Sequence, residues 1–278
     1  MPSSAEGFEK LCAAAKEKSI NCFANTTAGK SSHGEWWIGW HLNAGAGPDA
    51  LYRTIKGEKP WAEMRPHLER NANWIKQGWY SGKPDLYFGL SHDENWSMVA
   101  SGKALMRVSG TWDLGRMRKF CNDKCDWVAA PPLGAGVGEH FELAIGESIS
   151  ISADSKNPDA AAAVLDHLFN DRARAAAIIE ASCFSAWVVP LKWQAGDFTA
   201  AVDPRMVRFL TSFSDVTGQG RFGYTTWTFL PPKTRLYLFE ALDDVLANKK
   251  TIDAYVNGIQ PIFDRETSAI GALPPPKM

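Results

Sequence analysis

The sequence predicts an α/β protein of layered helices and short strands, on three observations. Helix-start signals recur: Asn157-Pro158-Asp159, Asp203-Pro204 and Pro231-Pro232 each precede apolar residues at helical spacing. Short runs of strand character, such as 104–108 and 126–130, lie between the helices. The composition, 45% hydrophobic and 22% charged, is that of a folded globular chain, and 278 residues suffice for one large domain or two modest ones.

The chain opens on a helix, where Ser3-x-x-Glu6 reads as a capping box ahead of Phe8, Leu11, Cys12 and Ala15 at i, i+3, i+4, i+7. Residues 24–48, rich in Gly, Ser, Asn and Trp, read as loops with short elements. A helix over 61–77 carries Leu68, Ala72, Ile75 and Trp79 on one stripe and stops at Gly78. Asp93 reads as the next N-cap, with Trp96, Val99 and Ala100 on the apolar side and Gly102 at the end. Strands are expected over 104–108, over 126–130 ahead of Pro131-Pro132, and over 147–152, where Ile149 and Ile151 alternate with serines. The run 133–138 reads as a flexible glycine-rich loop. Helices then follow from Pro158, Asp171, Pro204 and Pro232, and Thr251 caps a last one that Gly258 and Pro261 should fray or kink.

Charge and composition exclude several functions. Thirty Lys+Arg against 31 Asp+Glu give a net charge of −1, which argues against a dedicated nucleic-acid binder. No apolar run is long enough to span a membrane, and the first residues lack the basic and apolar regions of a signal peptide. Five cysteines (Cys12, Cys22, Cys121, Cys125, Cys183) form neither a C-x-x-C nor a dense disulfide framework. Cys121 and Cys125, the one close pair, would be neighbours on a helix but poorly placed for a bridge.

Motifs for catalysis are thin. His33 and Glu35 form H-x-E, but the P-C-x-x-C that completes a zinc deaminase signature is missing. His140 stands between Glu139 and Glu142 with no second histidine at ligand spacing, so no metal site is expected. There is no G-x-S-x-G elbow, and Gly134-Ala-Gly136-Val-Gly138 does not match a dinucleotide fingerprint, so no cofactor is expected either. The carboxylate pairs Asp93/Glu94, Glu139/Glu142 and Asp243/Asp244 leave a glycan hydrolase open as an alternative, though most of these groups suit caps or exposed faces. The sequons at Asn25 and Asn95 read as chance matches.

Tryptophan is the outstanding signal, at 12 residues. Trp61, Trp74, Trp79 and Trp96 fit helical stripes and read as core. Trp36, Trp37 and Trp40 in a weakly periodic stretch, Trp112 after Gly110-Thr111, and Trp227 in Gly223-Tyr-Thr-Thr-Trp-Thr-Phe-Leu-Pro-Pro stand beside small and hydroxyl residues. Such rings suit stacking on the apolar face of a pyranose, with core packing as the alternative for each.

The segment Val99-Ala-Ser-Gly-Lys-Ala-Leu-Met-Arg-Val-Ser-Gly-Thr-Trp-Asp-Leu114 resembles the F-x-x-G-K-A-A-M-x-x-x-G-x-W stretch of bacterial extracellular solute-binding proteins, the sugar receptors of ABC importers and the family of maltose-binding protein. Ser19-Ile-Asn-Cys-Phe-Ala24, Pro131-Pro-Leu133, Ile151-Ser-Ala-Asp-Ser-Lys-Asn-Pro-Asp-Ala-Ala161 and the aromatic run 223–232 resemble further family segments, in order. The resemblance implies a periplasmic-binding-protein-like (type II) fold of two α/β lobes that close around a sugar, without catalysis or cofactor. It implies a mono- or oligosaccharide ligand, a permease partner as the only link to a membrane, and a periplasmic or extracellular location. By position, Trp112 and Trp227 match sugar-stacking aromatics. Glu35, Trp36 and Trp37 match an acid-plus-aromatic ligand contact, and Glu147, Tyr224 and Thr226 match further contacts. The start of the chain falls near the family's first crossover into the C-terminal lobe. The expected division is therefore 1–146 and 196–278 as C-terminal lobe and 147–195 as the return segment of a largely missing N-terminal lobe. A non-transport interaction module on the same fold stays open.

Overall fold

Helices make up most of the computed structural model, which describes residues 1–82, 84–144, 149–182 and 192–271. In chain order they are α1 (Ala5–Glu17), β1 (Asn21–Phe23), α2 (Glu35–Ala46), α3 (Pro48–Ile55), α4 (Arg65–Lys76), α5 (His92–Ala100), β2 (Ala104–Met106), α6 (Leu114–Cys121) and β3 (Phe141–Leu143). The second half holds α7 (Pro158–Phe169), α8 (Arg172–Ser182), α9 (Pro204–Gly218), β4 (Phe222–Tyr224), α10 (Thr226–Phe229), α11 (Pro232–Leu246) and α12 (Ile252–Ile270). Strand β1 pairs parallel with β2, Phe23 opposite Met106, and β3 pairs parallel with β4, Leu143 opposite Tyr224. Both are two-stranded parallel sheets whose strands lie far apart in sequence, as crossover connections require. Among the described residues no helix is long and apolar enough to cross a membrane.

The caps stand close to their expected places. Ser4, not Ser3, caps α1 by accepting from Gly7 N at 3.1 Å. Ser91, not Asp93, caps α5, and Glu94 completes its capping box. Pro158, Pro204 and Pro232 each open a helix. Helix α12 runs unbroken through Gly258 and Pro261. Burial of Tyr255, Ile259 and Phe263 compensates there for the roughly 3 kcal/mol disadvantage of a helical proline.

The structure corrects three expectations. First, residues 35–46 are not loop but the helix α2, which buries Trp37, Ile38, Trp40, Leu42 and Ala44 together with Glu35, His41 and Asn43. A helix buried on nearly every side has no amphipathic period to betray it. Second, 126–130 is not a strand: Asp126 is engaged by Arg208 of α9, Trp127 packs on Phe209, and only Ala130 bridges to His140. The stretch 149–152 is irregular and exposed, and the rest of the expected 147–152 strand lies outside the described residues. Third, Cys121 and Cys125 are bridged, with Cα atoms 5.5 Å apart. The chain leaves α6 at Asn122 (φ 52°), so the two cysteines do not share a continuous helix and can meet.

A second bridge, Cys12–Cys22, ties α1 to β1 with Cα atoms 4.9 Å apart. Replacing both of its cysteines by alanine should lower the unfolding free energy by about 2–3 kcal/mol, measured by urea unfolding, because the loop it closes is short. Reductant should shift the midpoint of the unaltered chain in the same direction.

Two hydrophobic cores form. One gathers Phe8, Phe23, Trp37, Trp40, Trp61, Trp74 and Tyr80 with Leu238, Leu242, Tyr255 and Phe263 of α11 and α12. The other gathers Trp96, Leu114 and Met117 with Ile179, Trp193, Met206 and Leu210. Trp61, Trp74, Trp79 and Trp96 are all buried, as their stripes predict.

Candidate functional site

Helix α2 organises the site through residues 36, 39 and 43, which at i, i+3 and i+7 share one face. Asn43 is fully buried and clamps β4: its Oδ1 accepts from Tyr224 N at 2.9 Å, and its Nδ2 donates to Tyr224 O at 3.0 Å and to Gly39 O at 2.9 Å. Gly39 leaves room for a carboxyl, since a Cβ there would stand 2.6 Å from Glu142 Oε2. Trp36 sits at the N-terminal end of this face, half-buried, its ring 5.2 Å from that of Trp112.

Trp112 lies in the 3-10 turn Thr111–Asp113 that leads into α6. Gly110 has to lack a side chain because Trp112 folds back across it. Asp113, fully buried, fixes the turn by accepting from Ser109 Oγ and from Arg116 Nη1 at 3.0 Å. It also faces the buried Arg107 guanidinium at 3.5 Å. Arg107 in turn donates to Ala24 O at 3.1 Å, meets His92 Nδ1 at 3.0 Å and stacks over Trp96. Trp227, on α10 directly after β4, packs edge-on against Trp112 with ring centres 6.2 Å apart. His33 and His92 back Trp36 from its other side at 5.1 Å each.

Trp36, Trp112 and Trp227 thus line a cavity of about 500 Å³ between the two cores. Arg107, Ser109, Thr111, Glu142 and Thr225 supply polar groups to its wall, and Trp127, Phe209 and Phe213 line a further apolar side. Several buried donors in the wall have no protein partner: Trp96 Nε1, Trp112 Nε1, Trp127 Nε1 and Arg107 Nε. Buried donors are normally satisfied, so these are available to acceptors on a ligand or to water.

Burial governs the ionisation of this region. It pushes the Glu142 carboxyl up to about 8, against the opposing hydrogen bond from Asn43, and Glu35 up to about 7 in spite of Arg235. Burial and the adjacent arginines push His92 and His67 down to about 4. Below the ordinary histidine value near 6.5, the unfolded chain takes up protons that the folded histidines refuse, so stability falls as pH drops. From the ordinary carboxyl value near 4.5 upward, the folded chain keeps protons on Glu35 and Glu142 that the unfolded chain has released, so their contribution to stability falls as pH rises towards 8. Between about pH 4.5 and 6.5 the two trends oppose each other, so unfolding free energy should fall away most clearly from about pH 6.5 towards 8, as urea titrations across pH will read. Glu142→Gln should flatten the alkaline limb.

Of the residues expected at the site, the cavity brings together Trp36, Trp112 and Trp227. Trp37 is in the core, donating through Nε1 to Tyr87 Oη at 3.0 Å. Tyr224 is likewise fully buried, against Tyr52 and Phe229, while its neighbour Thr225 reaches the cavity. Glu35 is buried and accepts from Arg235 Nε at 2.8 Å, with Thr226 also beside it. Glu147 lies outside the described residues. The sequon residues Asn25 and Asn95 are both fully buried, Asn25 holding the main chain of Val108 and Asn95 donating to Thr26 Oγ1. Arg107 and Glu142 were not legible as site residues. Arg107 lay within the recognised segment and Glu142 in a carboxylate pair, but only tertiary convergence shows that they share a wall.

Comparison of the sequence with protein-family models and with characterised protein sequences finds no match. Comparison of the fold with solved structures does. A chitin oligosaccharide binding protein superposes with a TM-score of 0.78 at 14% identity, covering 97% of this chain and 66% of that one. A sugar transporter protein from Bacillus licheniformis, solved in complex with stachyose, gives 0.71 at 12% identity over 95% and 67% of the two chains. A family 1 extracellular solute-binding protein from Bifidobacterium longum subsp. infantis gives 0.61 at 15% identity over 95% and 66%. The chain therefore has the fold of the extracellular solute-binding proteins, and it spans about two thirds of the length of those it matches.

Proposed function

We propose that this chain binds a mono- or oligosaccharide as the solute-binding component of an ABC importer. The observation that carries the reading is the run of three half-buried indoles, Trp36, Trp112 and Trp227, along one wall of the cavity. Indole faces complement the C–H faces of a pyranose, and the unpartnered N–H groups nearby complement its ring-edge oxygens. The solved structures of similar fold include a chitin oligosaccharide binding protein and a sugar transporter protein in complex with stachyose, which supports a sugar as the ligand class. A permease partner and a periplasmic or extracellular location belong to the same reading. So do the division of the chain between two lobes and roles for Glu35 and Thr226 at the margin of the site.

Calorimetry and tryptophan fluorescence against a panel of mono- and oligosaccharides test it. At least one sugar should bind with a change in indole emission. Silence across the panel would overturn the carbohydrate reading, and turnover of a chromogenic glycoside would replace the receptor with a hydrolase.

A further inference from the structure

One ionisable group in the cavity wall is not used by aromatic stacking. Glu142, on β3, faces α2 over Gly39, with Asn43 as its side-chain partner. Two of the other charged groups of the wall already have counter-ions, one in a buried pair and one in an exposed pair. Arg107 has Asp113 at 3.5 Å, and Asp126 has Arg208 at 2.5 Å. Among the described residues no cation acts on Glu142. Helix α9 approaches β3 with Phe209 and Phe213, which pack on Phe141. From β4 the register partner is Gly223. On its own segment, His140 is desolvated and tied through Nδ1 to Gly138 O, and Ala144 follows Leu143. Lys124 lines the cavity only from an exposed position.

A carboxyl in such a wall is expensive to ionise unless a cation arrives with the ligand. We propose that Glu142 is a recognition site for a ligand cation, so that the cavity takes an amino sugar with a free primary ammonium, placed against the Glu142 carboxylate while the ring lies on the tryptophans. The proposal rests on the carbohydrate reading above and narrows it to a chemical class. Burial keeps the free carboxyl protonated at neutral pH. On binding, the ligand ammonium keeps its three protons, the carboxyl gives its proton to the solvent, and an ion pair with charge-assisted hydrogen bonds forms. A neutral sugar in the same place would meet the protonated acid and release nothing.

Calorimetry near pH 5.5, where the free amine is fully protonated, repeated in buffers of different ionisation enthalpy, decides between these outcomes. The ligands are the disaccharide of glucosamine, its di-N-acetyl counterpart and cellobiose. The glucosamine disaccharide should bind about tenfold or more tighter than the other two and release close to one proton per site. Glu142→Gln, which keeps the shape and an amide able to meet Asn43, should abolish both the preference and the proton release. The proton count on the unaltered chain decides the matter even if that variant fails to fold. Equal or tighter binding of the neutral sugars, or binding of the amine without proton release, overturns this inference and leaves the carbohydrate reading standing. Binding of no sugar in this set or the wider panel overturns both.

Discussion

Asp113→Ala should lower the unfolding free energy by about 3–5 kcal/mol, the largest single loss expected from any side chain at the site. Asp113 is fully buried, and the Arg107 guanidinium facing it is 3% exposed. Removing the carboxylate leaves that guanidinium charged, buried and without its counter-ion. It also releases Ser109 and Arg116, which the carboxylate holds. Denaturant unfolding with an unchanged m-value reads the loss directly. Asp113→Ala combined with Arg107→Leu should recover part of it, because the double variant buries no lone charge, and the cycle isolates the pair. A loss below about 1 kcal/mol in Asp113→Ala would mean that the pair is not the buried anchor described here.

Trp112→Ala and Trp227→Ala should each weaken sugar binding by roughly thirtyfold, about 2 kcal/mol, with little change in fold as read by circular dichroism. Both rings are half-buried and turn one face to the cavity, so their removal takes away contact with ligand more than support from the core. Their rings touch, edge to face, at 6.2 Å. The two losses should therefore not add, since each ring steadies the other, and the double variant should lose less than the sum. Full retention of affinity in both single variants would move the sugar away from this wall.

Much of the fold was legible because many helices announce themselves at their ends. Asn157-Pro158, Asp203-Pro204, Pro231-Pro232 and Thr251 stand at the observed starts of α7, α9, α11 and α12. Stripes alone identified Trp61, Trp74, Trp79 and Trp96 as core. Helix α2 was not legible, because periodicity reports the contrast between a wet and a dry face and α2 has almost no wet face. Nor were the strands reliably so: at three residues each, they are too short to display alternation. Of the site, the tryptophans could be picked out because large rings beside Gly110 and Thr225 are conspicuous, and a family resemblance pointed to Trp36, Trp112 and Trp227 by position. The wall itself could not, because Arg107, Glu142 and Trp227 come from distant parts of the chain and meet only through packing.

Asn43 bonds to both main-chain groups of Tyr224, and Asn25 does the same to Val108. Each amide stands in for a neighbouring strand at a sheet margin, so one residue replaces a whole edge. For the cavity this acts as a fixed caliper. Trp36 lies in the first turn of the helix that carries Asn43, Trp227 follows the strand that Asn43 grips, and the spacing of the two indoles is set before any ligand arrives. A platform of fixed spacing selects the sugar rings that fit along it rather than adapting to them, and it has little conformational freedom left to lose on occupancy. Association should then be fast and weakly opposed by ordering, and ligands whose bulky axial groups hold the ring off the indole faces should bind poorly instead of being accommodated.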